Sequence, residues 1–227
     1  MFKNKNIAII GGGVIGLAIA YKLSDEGALV HVFEKEKAVG LHQSGRNSGV
    51  LHCGLYYQPG SLKAQLSVNG IREMISFCKT HAIAHDVCGK VVVATSQKEA
   101  LALDQLAARG NKNGLSGLKY LSSEELKLRE PFVQAKKALL VPEEGIVDYT
   151  AVMKKMVELT EKNHGRVSYS TAVRSVDQSS DNEVVLSTNK DKHAFDYLIS
   201  CAGLWSDKTY TNLTQQKPPL RIVPFRG

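Results

Sequence analysis

The sequence predicts an α/β fold, a parallel sheet followed by a β-meander, with part of an α+β domain inserted into it. Three observations carry this. The chain opens as strand, glycine turn, helix and strand; a long stretch of helices and isolated strands then interrupts; and beyond residue 166 the apolar period switches to two. Parallel strands need a crossover, usually a helix, whereas period two marks half-buried strands.

Residues 5–10 form a short apolar run that stops at glycines and reads as a buried strand. Residues 14–24 are apolar and Ala-rich, a helix closed by Gly27. Residues 29–33 make a second strand ending at Glu34, parallel to the first. A Gly/Ser/Asn-rich loop then runs over 40–60, long enough to suggest function. Leu62, Leu66, Ile71, Met74, Ile75 and Cys78 recur at helical spacing and predict a helix over 61–80. A strand over 89–95 and helices over 96–110 and 122–129 follow, the last opened by the capping box Ser122–Glu125. A strand over 138–141, a turn over 142–145 and a helix from Asp148 to about residue 163, with Gly165 beyond it, complete the interruption. Strands over 167–177, 183–188 and 193–195, separated by turn residues, predict the meander, and 197–201 returns as a strand.

The 227 residues, 43% of them hydrophobic, suffice for one large domain or two small ones. A charged fraction of 22% and a mean hydropathy of −0.16 exclude a disordered chain. No apolar run approaches the roughly 20 residues that span a bilayer, and the run over 7–10 has no small-residue cleavage site after it. A cytoplasmic protein is expected. The net charge of +7 is spread over scattered residues and short pairs such as Lys136/Lys137, so no nucleic-acid partner is expected. Cys53, Cys78, Cys88 and Cys201 have no metal-ligand spacing, which predicts no metal and mostly buried, reduced thiols.

The strongest chemical motif is Gly11-Gly12-Gly13-Val14-Ile15-Gly16, a GxGxxG between strand and helix. Gly11 permits the tight turn, Gly13 lets backbone approach a pyrophosphate, and Gly16 lets helix and strand pack closely. The pyrophosphate would sit on the helix N-terminus, and Glu34 ends the second strand where a ribose hydroxyl would need an acceptor. This is the Rossmann arrangement for a dinucleotide, and the acid disfavours NADP without separating FAD from NAD.

The loop separates them better. Residues 42–64 are dense in small, hydrogen-bonding and proton-carrying side chains, and contain His42-Gln43, Asn47-Ser48-Gly49-Val50, His52, Gly54, Tyr56-Tyr57 and Pro59-Gly60-Ser61-Leu62-Lys63-Ala64. This run resembles the N-terminal signature of the L-2-hydroxyglutarate dehydrogenases and oxidases, flavoenzymes of the D-amino-acid-oxidase-like superfamily. The resemblance extends along the chain: 198–206 is similar to the second flavin-contacting strand and turn, and 221–227 to the entry into the substrate domain's main sheet.

The resemblance implies FAD as cofactor, held by Gly11, Gly13, Gly16, Glu34 and Lys35, with Ser44, Asn47, Ser48 and Gly49 passing along pyrophosphate and flavin. Val173 would meet the adenine through its backbone, and Gly203 would approach the ribityl chain. An exposed lysine after a strand, such as Lys35, also needs no function. The implied reaction takes the Cα hydride of L-2-hydroxyglutarate, or a similar small-molecule 2-hydroxy acid, to the flavin and gives the 2-oxo acid. His52 is the candidate base, since an ordinary imidazole titrates near neutrality, although a lone histidine is most often structural. Tyr56, Tyr57 and Lys63 are candidates for holding substrate carboxylates; the tyrosines equally suit packing of the loop.

The expected division is a discontinuous FAD-binding domain, 1–83 and 146–217, with 84–145 and 218–227 as part of a substrate domain. Chains of this family continue well past Gly227, so the substrate domain is expected to be incomplete, or completed by a complementary C-terminal polypeptide. The electron acceptor would be a quinone or oxygen, and a quinone would require peripheral contact with the inner membrane. Two alternatives stay open: a related amine- or glycine-oxidising flavoenzyme, against which the Tyr56–Lys63 segment speaks, and a non-catalytic flavin-binding fragment.

Overall fold

The computed structural model describes residues 2–180 and 183–224. Phe225, Arg226 and Gly227, the end of the segment expected to enter the substrate sheet, lie outside them. In chain order the first elements are β1 (Asn6–Ile10), α1 (Val14–Asp25), β2 (Leu29–Phe33), β3 (Val50–Leu51), α2 (Leu62–Thr80) and β4 (His85–Asp86). Then come β5 (Lys90–Ala94), α3 (Gln97–Lys112), β6 (Lys119–Leu121), α4 (Ser123–Arg129), β7 (Lys137–Val141), β8 (Gly145–Val147) and α5 (Tyr149–Lys162). The last are β9 (Arg166–Ser168), β10 (Val173–Ser180), β11 (Glu183–Thr188), β12 (Lys192–Phe195), β13 (Tyr197–Ser200) and α6 (Ser206–Thr214).

The chain folds as two compact units, Met1–Asn47 with Tyr149–Gly227, and Ser48–Asp148. The breaks at 47/48 and 148/149 differ from the 83/84 and 145/146 drawn from the sequence. The loop 48–60 and α2 fold with the inserted unit: Asn113 Nδ2 donates to the carbonyls of Gly54 and Tyr57, and Arg72 of α2 pairs with Glu143 at 3.1 Å.

In the first unit a fully parallel sheet runs in the order β13-β1-β2-β9. Its strands alternate between two apolar faces, which is why they read as nearly unbroken hydrophobic runs. Ile7, Ile9, Val30 and Val32 point to one face, where Ala20, Ile19 and Leu23 of α1 and Val157 of α5 cover them. Ala8 and Phe33 point to the other and meet Leu186 and Phe195 of the antiparallel meander β10-β11-β12.

The strand expected over 167–177 is two strands. Ser170 adopts φ +49° and breaks the extended run, while the amides of Ser170 and Thr171 donate to the carbonyls of Glu36 and Glu34. The chain thereby leaves the parallel sheet at Ser168 and enters the meander at Val173. After α5 the left-handed residue is His164, at φ +63°, one position before the expected Gly165. The short strands β3, β4, β6 and β8 and the helix α6 are additions to the elements expected.

In the second unit β7 lies between β5 and β6, and β8 between β3 and β4, all antiparallel. Helix α3 packs on β5 and β7. Both α3 and α4 open with capping boxes, Ser96 with Glu99 and Ser122 with Glu125.

His31 of β2 stacks on Phe33 at 4.1 Å, with His193 and Phe195 at its edges, and its Nε2 lies 2.8 Å from Ser168 Oγ. Burial, and then the positive neighbours Arg166 and His193, push its pKa from 6.5 down to about 4. As pH falls the unfolded chain takes up this proton first, so the stability due to neutral His31 is complete above pH 6.5 and lost toward pH 4. Between pH 7 and 5 the loss should be about 1 kcal/mol, allowing for solvent screening of the partly exposed ring. Urea unfolding should show His31→Gln losing that much less than the parent over the same interval; equal losses would refute the assignment.

Candidate functional site

The glycine turn joins the carboxyl end of β1 to the start of α1. Gly11 sits at φ +105°, and a Cβ there would collide with the carbonyl oxygen of Cys201, just past β13. A Cβ on Gly16 would collide with the Gly11 carbonyl in turn. The turn therefore closes only without side chains, where the strand order reverses between β13 and β2. Ligands of open α/β sheets bind at such a switch point.

Helix α1 has no acidic residue in its first turn. Among the described residues no acceptor faces the amides of Gly13, Ile15 and Gly16. Three amide donors and the positive end of the helix dipole suit a phosphate. The Val14 amide instead donates to Ser44 Oγ at 3.0 Å, leaving the hydroxyl proton of Ser44 available to a further acceptor. Glu34, 7% exposed, accepts from the Gly12 amide at 2.7 Å through Oε2 and from the Glu36 amide at 2.8 Å through Oε1. Each carboxylate oxygen keeps acceptor capacity for ribose hydroxyls. The donors and acceptors present thus fit a dinucleotide. Gly12 was not singled out in the sequence, yet a Cβ there would lie 3.0 Å from Glu34 Oε2 and 3.2 Å from Val39 Cγ1. Its only sequence signal is the run of three glycines.

Other residues named for the cofactor are distributed more widely. Asn47 donates to the Ser44 carbonyl at 2.7 Å and braces the one-turn helix Gln43–Gly45. Lys35 pairs with Glu36 at 3.1 Å and lies 4.8 Å over the Trp205 ring. Gly203, at φ +55°, opens the turn containing Trp205, with open space where a side chain would be. Val173 starts β10, two residues after the Thr171 amide meets the Glu34 carbonyl. All of these belong to the first unit. Ser48 and Gly49 belong to the second, where Gly49 accepts from the Val147 amide at 2.8 Å.

The second unit also holds His52, Tyr56, Tyr57 and Lys63. The side chain of His52 is 63% exposed, and its Nδ1 lies 3.8 Å from Glu144 Oε2. Glu144 was not singled out in the sequence. Its side chain is 2% exposed, with Lys90 Nζ 2.6 Å from Oε2 and the Cys53 thiol donating to Oε1 at 3.3 Å. The ammonium contact is close but off hydrogen-bonding alignment, so Oε2 lacks an aligned donor. Burial, followed by the charge and hydrogen bond of Glu144, pushes the Cys53 thiol up to about 12 and keeps it protonated. Lys90 also lies 4.7 Å over the Tyr56 ring, and Lys63 lies 5.4 Å over that of Tyr57. His52, Tyr56, Lys90 and Glu144 thus form one cluster, while Lys63 and Tyr57 form a pair of their own. Cys78 and Cys201 are also raised by burial, and Cys88 alone of the four thiols is exposed.

Residues 6–227 match the model of the family FAD dependent oxidoreductase. The chain is 40% identical over 223 residues to L-2-hydroxyglutarate dehydrogenase of Indibacter alkaliphilus, covering 97% of this chain and 56% of that protein. It is 35% identical over 235 residues to the mitochondrial L-2-hydroxyglutarate dehydrogenase of Homo sapiens, covering 98% and 50%. The chain spans about half the length of the curated relatives it matches. Among solved structures, the FAD-bound, dithionite-reduced L-α-glycerophosphate oxidase of Mycoplasma pneumoniae superposes with a TM-score of 0.81 at 25% identity, over 93% of this chain and 57% of that one. Glycine oxidase of Geobacillus kaustophilus gives 0.81 at 21% identity, over 92% and 58%, and shares the fold. With the glycine turn, the buried Glu34 and the family match over 6–227, the chain belongs to the FAD dependent oxidoreductase family.

Proposed function

We propose that the chain serves oxidation of L-2-hydroxyglutarate, or a similar 2-hydroxy acid, to the 2-oxo acid. The observation that carries this reading is the 40% identity, across 97% of the chain, to a relative bearing that name. Bound FAD supplies the acceptor for the Cα hydride. The amides at Gly13, Ile15 and Gly16 hold its pyrophosphate, with Gly11 and Gly16 closing the turn. Glu34 accepts from the ribose, Val173 meets the adenine, and Lys35, Ser44, Asn47, Ser48, Gly49 and Gly203 complete the cofactor contacts. His52 takes the substrate's hydroxyl proton, while Tyr56, Tyr57 and Lys63 hold its carboxylates. The FAD-binding domain is 1–83 with 146–217, which also contributes His52, Tyr56, Tyr57 and Lys63, and 84–145 with 218–227 are part of the substrate domain. A quinone or oxygen removes the electrons from a cytoplasmic protein, a quinone at the inner membrane's surface. Among the described residues no helix is long and apolar enough to cross a membrane.

The purified chain, incubated with FAD and desalted, should keep the flavin's visible bands, and L-2-hydroxyglutarate should bleach them without air. Bleaching by glycine in its place would favour the amine-oxidising reading. Retention with bleaching only after addition of a complementary C-terminal polypeptide would assign this chain the cofactor alone. His52→Ala should keep the flavin and slow bleaching by about 10²–10⁴-fold, the usual worth of a general base; an unchanged rate removes His52 from the mechanism.

The glycines should separate folding from binding. In Gly16→Ala the added methyl meets backbone that must move, so a loss of about 1–3 kcal/mol in urea unfolding is expected. Gly13 has an extended backbone, and its Cβ would meet only Ser44, at 3.0 Å to Oγ. Gly13→Ala should therefore stay within about 1 kcal/mol of the parent yet retain no flavin, because the methyl occupies the approach to the amides. A Gly13→Ala chain that binds FAD normally would refute the placement of the pyrophosphate.

A further inference from the structure

The Glu144 carboxylate has a place in the second unit that the reaction as described does not use. It is almost wholly buried, and burying a charge demands compensation on every oxygen. Oε1 has the Cys53 thiol. Oε2 has the Lys90 ammonium at 2.6 Å, but that group also lies over the Tyr56 ring and is not aligned to donate. One acceptor is thus left without its N–H donor, and a buried acceptor seeks one. Among the described residues an unspent candidate is the imidazole of His52, whose Nδ1 is 3.8 Å from Oε2. That distance is too long for a hydrogen bond, but the ring is 63% exposed, and exposed side chains change rotamer freely.

We propose that Glu144 is the positioning residue of His52: it accepts the Nδ1 proton, fixes the ring's tautomer, and so presents the Nε2 lone pair outward as the base. This inference rests on the proposed role of His52 and deepens it. The logic is that of other carboxylate-supported histidines, in which the partner of one nitrogen decides what the other can do. When Nε2 accepts the substrate's hydroxyl proton, the imidazolium gains a carboxylate beside its Nδ1 proton. Lys90 offsets the Glu144 charge while the site waits, and the protonated Cys53 holds the other oxygen in place. The turn Pro142–Gly145 builds this support: the Glu144 carbonyl receives the Gly89 amide at 2.8 Å, while neighbouring Glu143 points away to Arg72.

The test is the tautomer of neutral His52, read in the ¹⁵N-labelled chain from long-range ¹H–¹⁵N correlations, with no flavin or substrate added. The wild type should show the Nδ1–H form predominating. Glu144→Met, close in volume and without an acceptor, should return His52 to the Nε2–H form that free histidine favours, with circular dichroism unchanged. An Nε2–H form in the wild type overturns the proposal, as does an Nδ1–H form that survives in Glu144→Met. If Glu144→Met does not fold, the wild-type tautomer decides alone. The two levels fail separately: Nδ1–H in a chain whose flavin is never bleached would remove the oxidation reading and leave the pair standing. Nε2–H in a chain that does bleach would remove the pair and leave the oxidation.

Discussion

A side chain on Gly16 has no room because the Gly11 carbonyl occupies its space, and Gly11 is itself pressed against the Cys201 carbonyl. These two backbone approaches tie the start of α1 to β1 and to the end of β13. The rest of the first unit follows from them. With the helix fixed against the sheet, Ile19, Ala20 and Leu23 cover one face of β1 and β2, and the meander is left to cover the other. At the same closure Glu34 and Ser44 reach back to the amides of Gly12 and Val14. A contact that permits no side chain is a more rigid constraint than apolar packing, which tolerates repacking at modest cost.

The two buried glutamates are stabilised by different means, and the difference suits different tasks. Glu34 is held by the backbone amides of Gly12 and Glu36, donors that cannot move unless the turn moves. It is a fixed acceptor, fit for neutral hydroxyls. Glu144 is held by side chains: an ammonium, a thiol and, 3.8 Å away, an imidazole. Side-chain partners can rotate and exchange protons, which a rigid amide cannot do. The first arrangement suits binding, and the second suits proton traffic.

Much of the fold was legible because its signals are local. β1, α1 and β2 announce themselves through an apolar run, a glycine turn and a second run, and the later helices through spacing and caps such as Ser122 with Glu125. β3 and β4, two residues each, are too short to display any period, and only pairing with β8 makes them strands. The division between β9 and β10 was hidden because Ser170 takes a left-handed conformation that nothing in its sequence demands. Among the site residues, the glycines and Glu34 were readable from spacing. Glu144 was not, since Glu143 and Glu144 look alike in one turn while the fold sends one to Arg72 and buries the other. Burial of a charge is a tertiary fact.

The stretch after β3 shows how a loop that exposes an imidazole and a phenol is kept in place. Leu51, Cys53 and Leu55 are buried at 2% exposure or less, whereas His52 and Tyr56 between and beyond them face outward. The apolar members anchor the segment, and the Asn113 amide pins its carbonyls at Gly54 and Tyr57. Folding asks little of the outward imidazole and phenol, since an exposed side chain contributes little to stability. Yet the residues on which the family resemblance turns include these two. A requirement that the core does not impose has to come from what the exposed groups meet, and an imidazole beside a buried carboxylate is chemically suited to meeting a proton.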